Sequence, residues 1–445
     1  MAKPNVVCTL LTLLFSLTLP LGALAEDNLD ASPGSGNMSD PVEFTGVTGD
    51  WSGYRRDLVE NGITFNMDLI QTYQGVTKGG TKRHFKYGGS LDYFLNLDFQ
   101  KMGLWEGAFV DIFAETQFGE SVIGDTGTIN SVNYDAMLPY PDDHTTTLTQ
   151  VVFTQYLSET FGLYFGKVCT IDGDSNPLSG GRGKENFMNM SLVFNPVSIR
   201  TVPYSTLGGG LIFLLPNDDG RDPGVITVSA LGPDGQPSRV PWDDFDDGEV
   251  YSAASYFPTY FFDMPGNQAF GVNYSTKDYN LLRQDPRLIL DWILGIPVTL
   301  ETDDGSWAFY YNFHQFLYTE PQDESQGLGV FGRYGIADDK TNIVDSFYSV
   351  GVGGKGLFDE RDNDTFGIGY FYTKTSSEFT DSVGSIPIIG PALASYIDDG
   401  EGFEIFYNIE VNPWCNITPD FQIIEPANTS VDTAYVVGVR AKVVF

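Results

Sequence analysis

The chain is short of several things, and each shortage removes a class of protein. Beyond residue 25 there is no run of about 18 uncharged apolar residues, so a bundle of membrane helices is excluded. Three cysteines in 445 residues, Cys8, Cys169 and Cys415, cannot staple a disulfide scaffold, although a Cys169–Cys415 pair stays open. Cations are scarce: 24 Lys and Arg stand against 59 Asp and Glu, a formal charge of -35 at pH 7. A chain this acidic does not hold nucleic acid by bulk electrostatics. The three histidines, His84, His144 and His314, are far apart and show no ligand spacing. No nucleophile elbow, phosphate-binding glycine loop or zinc-protease helix occurs. Asp172–Asn176 resembles the opening of a calcium loop, but Pro177 replaces the required glycine and Gly183 stands where the bidentate Glu belongs, so no EF-hand is expected. No cofactor is implied.

What is present is glycine, aromatic residues and alternation. The chain has 50 glycines, 14% aromatic residues and a mean hydropathy of -0.12. That profile suits many short strands, including a transmembrane barrel, whose hydropathy signal is weak because alternate residues are polar. The last segment shows it best. In AYVVGVRAKVVF, Tyr435, Val437, Val439, Ala441, Val443 and Phe445 share one wholly apolar face. The other face carries Arg440 and Lys442. In an outer-membrane barrel the first face meets lipid and the second a water-filled lumen. An aromatic at the final position, Phe445, reads as the assembly end of a closing strand.

The first 25 residues read as a secretory signal: Lys3, an uncharged apolar stretch, then Ala23-Leu24-Ala25. Residues 26–45 are rich in Pro, Gly, Ser and acid and read as a disordered leader. Lys3 is the only charge in the signal, which leaves 23 cations against 59 acids, a net of -36, on the mature chain. No linker divides residues 46–445, so one domain is expected there.

Alternating runs recur throughout. ITFNMDLIQTY puts Ile63, Phe65, Met67, Leu69 and Tyr73 on one side, with Asn66, Asp68 and Thr72 opposite. SLDYFLNLDF puts Leu91, Tyr93, Leu95, Leu97 and Phe99 outward against Asp92, Asn96 and Asp98. Further strand-like segments lie at 107–117, 148–157, 161–168, 190–199, 207–215, 223–231, 267–275, 287–300, 306–319, 327–336, 346–354, 365–374, 402–411, 415–424 and 434–445. The expectation is an all-β transmembrane antiparallel barrel of about sixteen strands, eighteen being the alternative. Acidic stretches at 217–224, 243–249, 301–305, 359–364 and 398–402 read as long loops. Residues 375–397 read as a loop folded into the lumen or a short helix.

Candidate pore residues follow from charge. Lys78, Lys82, Arg83 and Lys86 form the one basic cluster, readable as a constriction wall, a lipopolysaccharide contact or a solvated loop. Inward acids Asp92, Asp111 and Glu115, with Asp68, would form a facing wall. Spread over many strands at period two, they read as a polar lining rather than a glycosidase pair.

Several spans together resemble the carbohydrate-selective porin family of the OprB type. They are GDWSGYRRDLVENGITF at 49–65, Asp359–Asp364 leading into FGIGYFY, and Glu401 to Tyr407 followed by Asn412-Pro413-Trp414. Pro419–Gln422, Pro426 and the closing Gly438-Val439-Arg440 complete the order. The resemblance implies a sixteen-stranded bacterial outer-membrane barrel, no enzyme, with a narrow loop-lined constriction that passes sugars by diffusion. It marks Arg55, Arg361, Glu404 and Arg440 as motif residues. Sugar hydroxyls would exchange water for Arg, Lys and carboxylate side chains, and aromatic faces would stack on the ring. The implied partners are small neutral sugars, outer-membrane lipid and lipopolysaccharide, and the assembly machinery. Acids at the eyelet would instead give a cation-preferring general porin. A loop-plugged adhesion barrel and a secreted polysaccharide-acting enzyme are the other classes.

Overall fold

The computed structural model describes residues 45–445 except 138–145, 172–175, 218–221, 322 and 359. The signal segment, nearly all of the leader, His144 and most of the calcium-like segment lie outside the described residues. Sixteen strands form one closed antiparallel barrel in which every strand pairs with its sequence neighbours and β1 pairs with β16. They are β1 (Ile63–Lys78), β2 (Phe85–Asp98), β3 (Ala108–Gly119), β4 (Thr146–Ser158), β5 (Phe161–Cys169), β6 (Ser205–Leu215), β7 (Gly224–Leu231) and β8 (Val250–Thr259). The second half comprises β9 (Gly266–Asn280), β10 (Thr302–Glu320), β11 (Asp323–Ala337), β12 (Val344–Lys355), β13 (Thr365–Thr375), β14 (Gly400–Asn412), β15 (Cys415–Glu425) and β16 (Ala434–Val444).

Period two sorts the two faces. On β16, Val437 and Val439 are exposed on the outer wall, while Val436 and Arg440 are buried inside. On β2, Asp92 is buried against its opposite number Glu115 on β3. Aromatic residues crowd the outer wall. Tyr73 stacks on Phe85 at 5.3 Å, and Tyr348 on Tyr372 at 5.4 Å. Alternation thus gives lipid an apolar surface and keeps ionic side chains on the lumen side.

The connections alternate between two ends. Those at 99–107, 159–160, 216–223, 260–265, 321–322, 356–364 and 413–414 are short and share one end with the start of β1 and the end of β16. The opposite end carries the long ones, 120–145, 170–204, 232–249, 281–301 and 376–399. In a transmembrane barrel the short end is periplasmic and the long end external. Acidity does not mark the long end alone, contrary to expectation. The described parts of the acidic stretches at 217–224 and 359–364 belong to short-end connections, residues 218–221 and 359 lying outside the described residues, and 301–305 runs into β10.

Two expected strands are absent. Residues 190–199 form a single α-turn, Met190–Val193, followed by a 3-10 turn, Pro196–Arg200, inside the barrel. Within 287–300 the chain forms a helix, Pro286–Ile293, with Pro at its first position, where the missing N–H costs nothing. One strand, β8, was not anticipated. Its inner residues Val250, Ser252 and Ala254 differ little from its outer Ala253 and Ser255, so alternation carries no signal there. The segment 375–397 forms two short helices, Ser377–Gly384 and Gly390–Ala394. Their apolar faces pack with Leu282, Ile289 and Ile343 of neighbouring long-end connections. Cys169 and Cys415 form no disulfide with each other, since they sit at opposite ends of the barrel.

Placing an arginine at Val439, 45% exposed on the outer wall, should lower barrel stability by about 2–4 kcal/mol in lipid vesicles. Urea unfolding monitored by heat-modifiable migration reads this directly. Unchanged stability would reverse the face assignment.

Candidate functional site

The lumen is organised by the connection 170–204, which folds inward and is fastened to the wall. Its first anchor is ionic. Gly180-Gly181-Arg182-Gly183-Lys184 carries two cations to the inner faces of β2 and β3. Lys184 Nζ pairs with Asp92 and lies 3.3 Å from Glu115 Oε1 and 3.5 Å from Asp135 Oδ1. Arg182 pairs with Glu115 Oε1 at 2.7 Å and donates to the Tyr204 hydroxyl at 3.0 Å. The Tyr204 hydroxyl in turn donates to Glu115 Oε2. Ser90 donates to Asp135 at 2.8 Å, which ties in the connection 120–145. Burial alone would pull Lys184 below its ordinary value, but the facing carboxylates of Asp92, Glu115 and Asp135 together outweigh it and hold Lys184 above. Burial, with Glu115 alongside, lifts Tyr204 well above the usual phenol range, so it stays a donor.

The second anchor lies on β14–β16. The Glu404 carboxylate accepts the backbone N–H groups of Met188 at 2.6 Å and Asn189 at 2.9 Å. Arg440 donates to the carbonyls of Gly183 and Glu185, both at 2.5 Å, and to Thr418 at 3.2 Å. Lys442 bridges Asp68 at 3.1 Å and Glu185 at 2.7 Å. A third anchor is Arg333 on β11, which donates to Ser179 Oγ at 2.9 Å and the Leu192 carbonyl at 2.7 Å. Asn195 donates to the Tyr334 carbonyl at 2.9 Å. Apolar packing fills the space between: Phe187 meets Phe406 edge-on at 4.7 Å, and Leu192 lies over Gly369, where a Cβ would fall 2.6 Å away.

These contacts put the loop against β10–β16 and β1–β3. The opposite wall takes none of these ionic anchors and is neutral. Among the described residues no charged side chain stands on the inner face of β4–β8. That face carries Val152, Tyr156, Tyr164, Ile212, Thr227, Ser229 and Ser252.

The expected site residues therefore separate. Asp92, Glu115, Glu404 and Arg440 are 2%, 0%, 0% and 1% exposed. They face inward, as expected, but hold the loop rather than forming an open acidic lining. Asp111 keeps an inner-face position on β3, half-buried beside Asn96. The basic cluster does not act as one group: of its four cations, Lys86 alone shares the inner face of β2 with Asp92. Lys82 and Arg83 are exposed in the connection 79–84, and Lys78 lies over the Tyr435 ring at 4.7 Å. Lys86 is tied to the Ser121 carbonyl at 2.9 Å and to Asp125 at 3.5 Å. Arg361 sits at the short end, paired with Asp364 at 2.7 Å. Arg55 bonds the Phe65 carbonyl at 3.1 Å and Asn66 at 2.9 Å. The Phe445 N–H donates to the Met67 carbonyl at 2.9 Å. Sequence reasoning missed Arg182, Lys184, Tyr204 and Arg333. The available signal was two cations within five glycine-rich residues of an otherwise acidic chain.

Residues 82–445 match the family described as carbohydrate-selective porin, OprB family. Porin B of Pseudomonas aeruginosa is 27% identical over 196 residues, 41% of this chain and 42% of that protein. The chain thus spans under half the length of this curated relative. The high-pH structure of Pseudomonas putida OprB superposes with a TM-score of 0.77 at 20% identity, covering 91% of this chain and 99% of that one. The low-pH structure of the same protein gives 0.55 at 17% identity, covering 91% and 100%.

Removing one partner from the buried ion cluster leaves charge uncompensated. Lys184→Met should cost about 3–5 kcal/mol and loosen the inserted loop, seen as larger and noisier single-channel currents. Lys184→Arg should restore quiet currents. A quiet, fully stable Lys184→Met barrel would show that the cluster does not hold the loop.

Proposed function

We propose that this chain, which belongs to the carbohydrate-selective porin, OprB family, is a passive outer-membrane channel for small neutral carbohydrates. The observation that carries the reading is the asymmetric lumen: an inserted loop pinned to one side by buried ion pairs, and an uncharged wall opposite. A pinned loop sets a fixed aperture. A neutral wall of hydroxyl, amide and aromatic groups suits a polar, uncharged solute. Binding in such a path stays weak, since tight binding would limit release.

The acids play a separate part. Asp243–Glu249, Asp303, Asp304, Asp338, Asp339, Asp398 and Asp399 gather toward the long end, so the mouth attracts cations. The exposed Lys82 and Arg83 at that rim fit lipopolysaccharide phosphate better than a solute. The strand ending in Phe445 fits recognition by the assembly machinery. A channel of this design has no enzymatic step.

Reconstituted protein should pass glucose faster than a disaccharide and potassium in preference to chloride. Lys82→Gln with Arg83→Gln should leave glucose flux unchanged. Proteoliposome swelling and reversal potentials in planar bilayers measure both. A barrel that conducts neither ions nor sugar would favour a plugged structural role. A chloride-preferring channel would overturn the role given to the mouth acids.

A further inference from the structure

One patch of the inner wall departs from its surroundings. β2 and β3 pair with Phe94 opposite Phe113, Asn96 opposite Asp111 and Asp98 opposite Phe109. All six share the lumen face with Asp92 and Glu115, because side chains alternate with period two. They lie on the short-end side of the ion cluster, rung after rung, with about 7 Å between successive rungs. The Phe94 and Phe113 rings stack at 4.3 Å with 13° between planes. Phe113 is buried, with Lys184 Nζ 5.7 Å from its ring. Phe94 is not covered and keeps 38% of its surface exposed. Below it, Asn96 Nδ2 donates to Asp111 Oδ1 at 2.7 Å. Phe109 meets the Tyr156 ring edge-on at 6.3 Å and 81°.

An apolar ring left open to a water-filled lumen offers a contact face to a solute with an apolar side. The neighbours define which solute. A ring face beside a carboxylate and a carboxamide matches a pyranose, whose C–H face is apolar and whose rim is hydroxyl. The second carboxylate oxygen of Asp111 accepts from hydroxyls, and the Asn96 carbonyl oxygen does the same. Anionic solutes are disfavoured by Asp111 and Asp98, and apolar solutes leave the polar rung unpaired.

We propose that Phe94, Asn96, Asp111 and Phe109 form a binding subsite for a neutral hexose ring, placed just past the inserted loop on the way to the short end. It rests on the sugar-channel reading above and adds to it a defined resting point. Phe94 carries the ring contact and Asp111 the hydroxyl contact.

The test is glucose block of potassium current through single channels in planar bilayers, with proteoliposome flux alongside. The wild type should show block that saturates with glucose. Phe94→Ala and Asp111→Asn should each raise the half-saturating concentration roughly three- to tenfold, the worth of one aromatic or hydrogen-bonded contact. Phe94→Tyr should retain the wild-type value. Phe94→Leu, which keeps volume without a ring, should behave as Phe94→Ala and serves where the alanine variant does not fold. Mannitol, which has no ring face, should respond alike in wild type and Phe94→Ala. Unchanged half-saturation in Phe94→Leu and Asp111→Asn, with glucose still crossing, overturns the subsite and leaves the channel reading standing. A wild type that passes no glucose overturns both.

Discussion

The structure depends on the sheet closing on itself. In hydrocarbon every backbone N–H and C=O must be satisfied within the protein, and a sheet achieves this only without free edges. Closure is made by β1 and β16, in register from Asp68 opposite Val444 to Val76 opposite Val436, with one irregularity before Lys78. The segment before β1 reinforces the seam. Val47 N–H donates to the Val444 carbonyl at 2.9 Å, and Arg55 grips the Phe65 carbonyl and Asn66 at the start of β1. Gly46 lies so close to Phe445 that a Cβ there would fall 2.5 Å from its carbonyl carbon. Closure then leaves two faces of different solvent. The outer one must be apolar over the membrane band, so the inner one takes the ionic side chains.

An interior that must take charge can use it in two ways, and this chain chiefly uses it to fix a loop. Asp92, Glu115 and Asp135 face Lys184 and Arg182 in a space from which water is largely excluded. Burying these groups is costly, and the cost is offset only when partners are well placed. A loop held by such contacts has one position rather than many, because moving any cation strands a carboxylate. Glu404 and Arg440 act likewise through backbone groups of residues 183–189. Gripping from β2, β3, β11 and β14–β16 draws the loop to one side. The neutrality of the β4–β8 wall is the counterpart of that gripping, since the ionic side chains stand on the strands that hold the loop.

The barrel was legible in the sequence because lipid and lumen impose period two on strand after strand. Where the lumen is small and neutral, the period fades, and β8 went unread for that reason. Residues 190–199 misled for the opposite reason. Met190, Leu192 and Phe194 alternate with less apolar neighbours only in part, and residues 190–198 are buried inside the barrel, so their apolar content reports packing rather than lipid. In Pro286–Ile293 the helix follows a proline start that a strand reading passes over. The motif residues were legible as a set, but their roles were not. Glu404 and Arg440 look like solute ligands in sequence because nothing there reveals that a loop two hundred residues away comes to meet them. Phe94 was overlooked because the outward residues Tyr93 and Leu95 flank it. Its mark was an aromatic at an inward position between Asp92 and Asn96.

An acidic chain and the proposed path for neutral sugar are compatible because the two act at different depths. Phe94 lies nine residues along β2 from Phe85 at the long end, about 30 Å of strand. Strand tilt shortens that distance along the barrel axis but leaves it well above the screening length of about 8 Å at physiological salt. Carboxylates at the mouth therefore set which ions accumulate there, and their field is largely spent before the β2–β3 wall. What a sugar meets at that wall is decided by contact chemistry: a ring face, a carboxamide and one half-buried carboxylate. Dilute salt extends the mouth field toward the wall, but an uncharged solute has no charge for that field to act on. In the proposed channel, ion preference is thus a property of the barrel's ends, and sugar preference a property of one strip of its side.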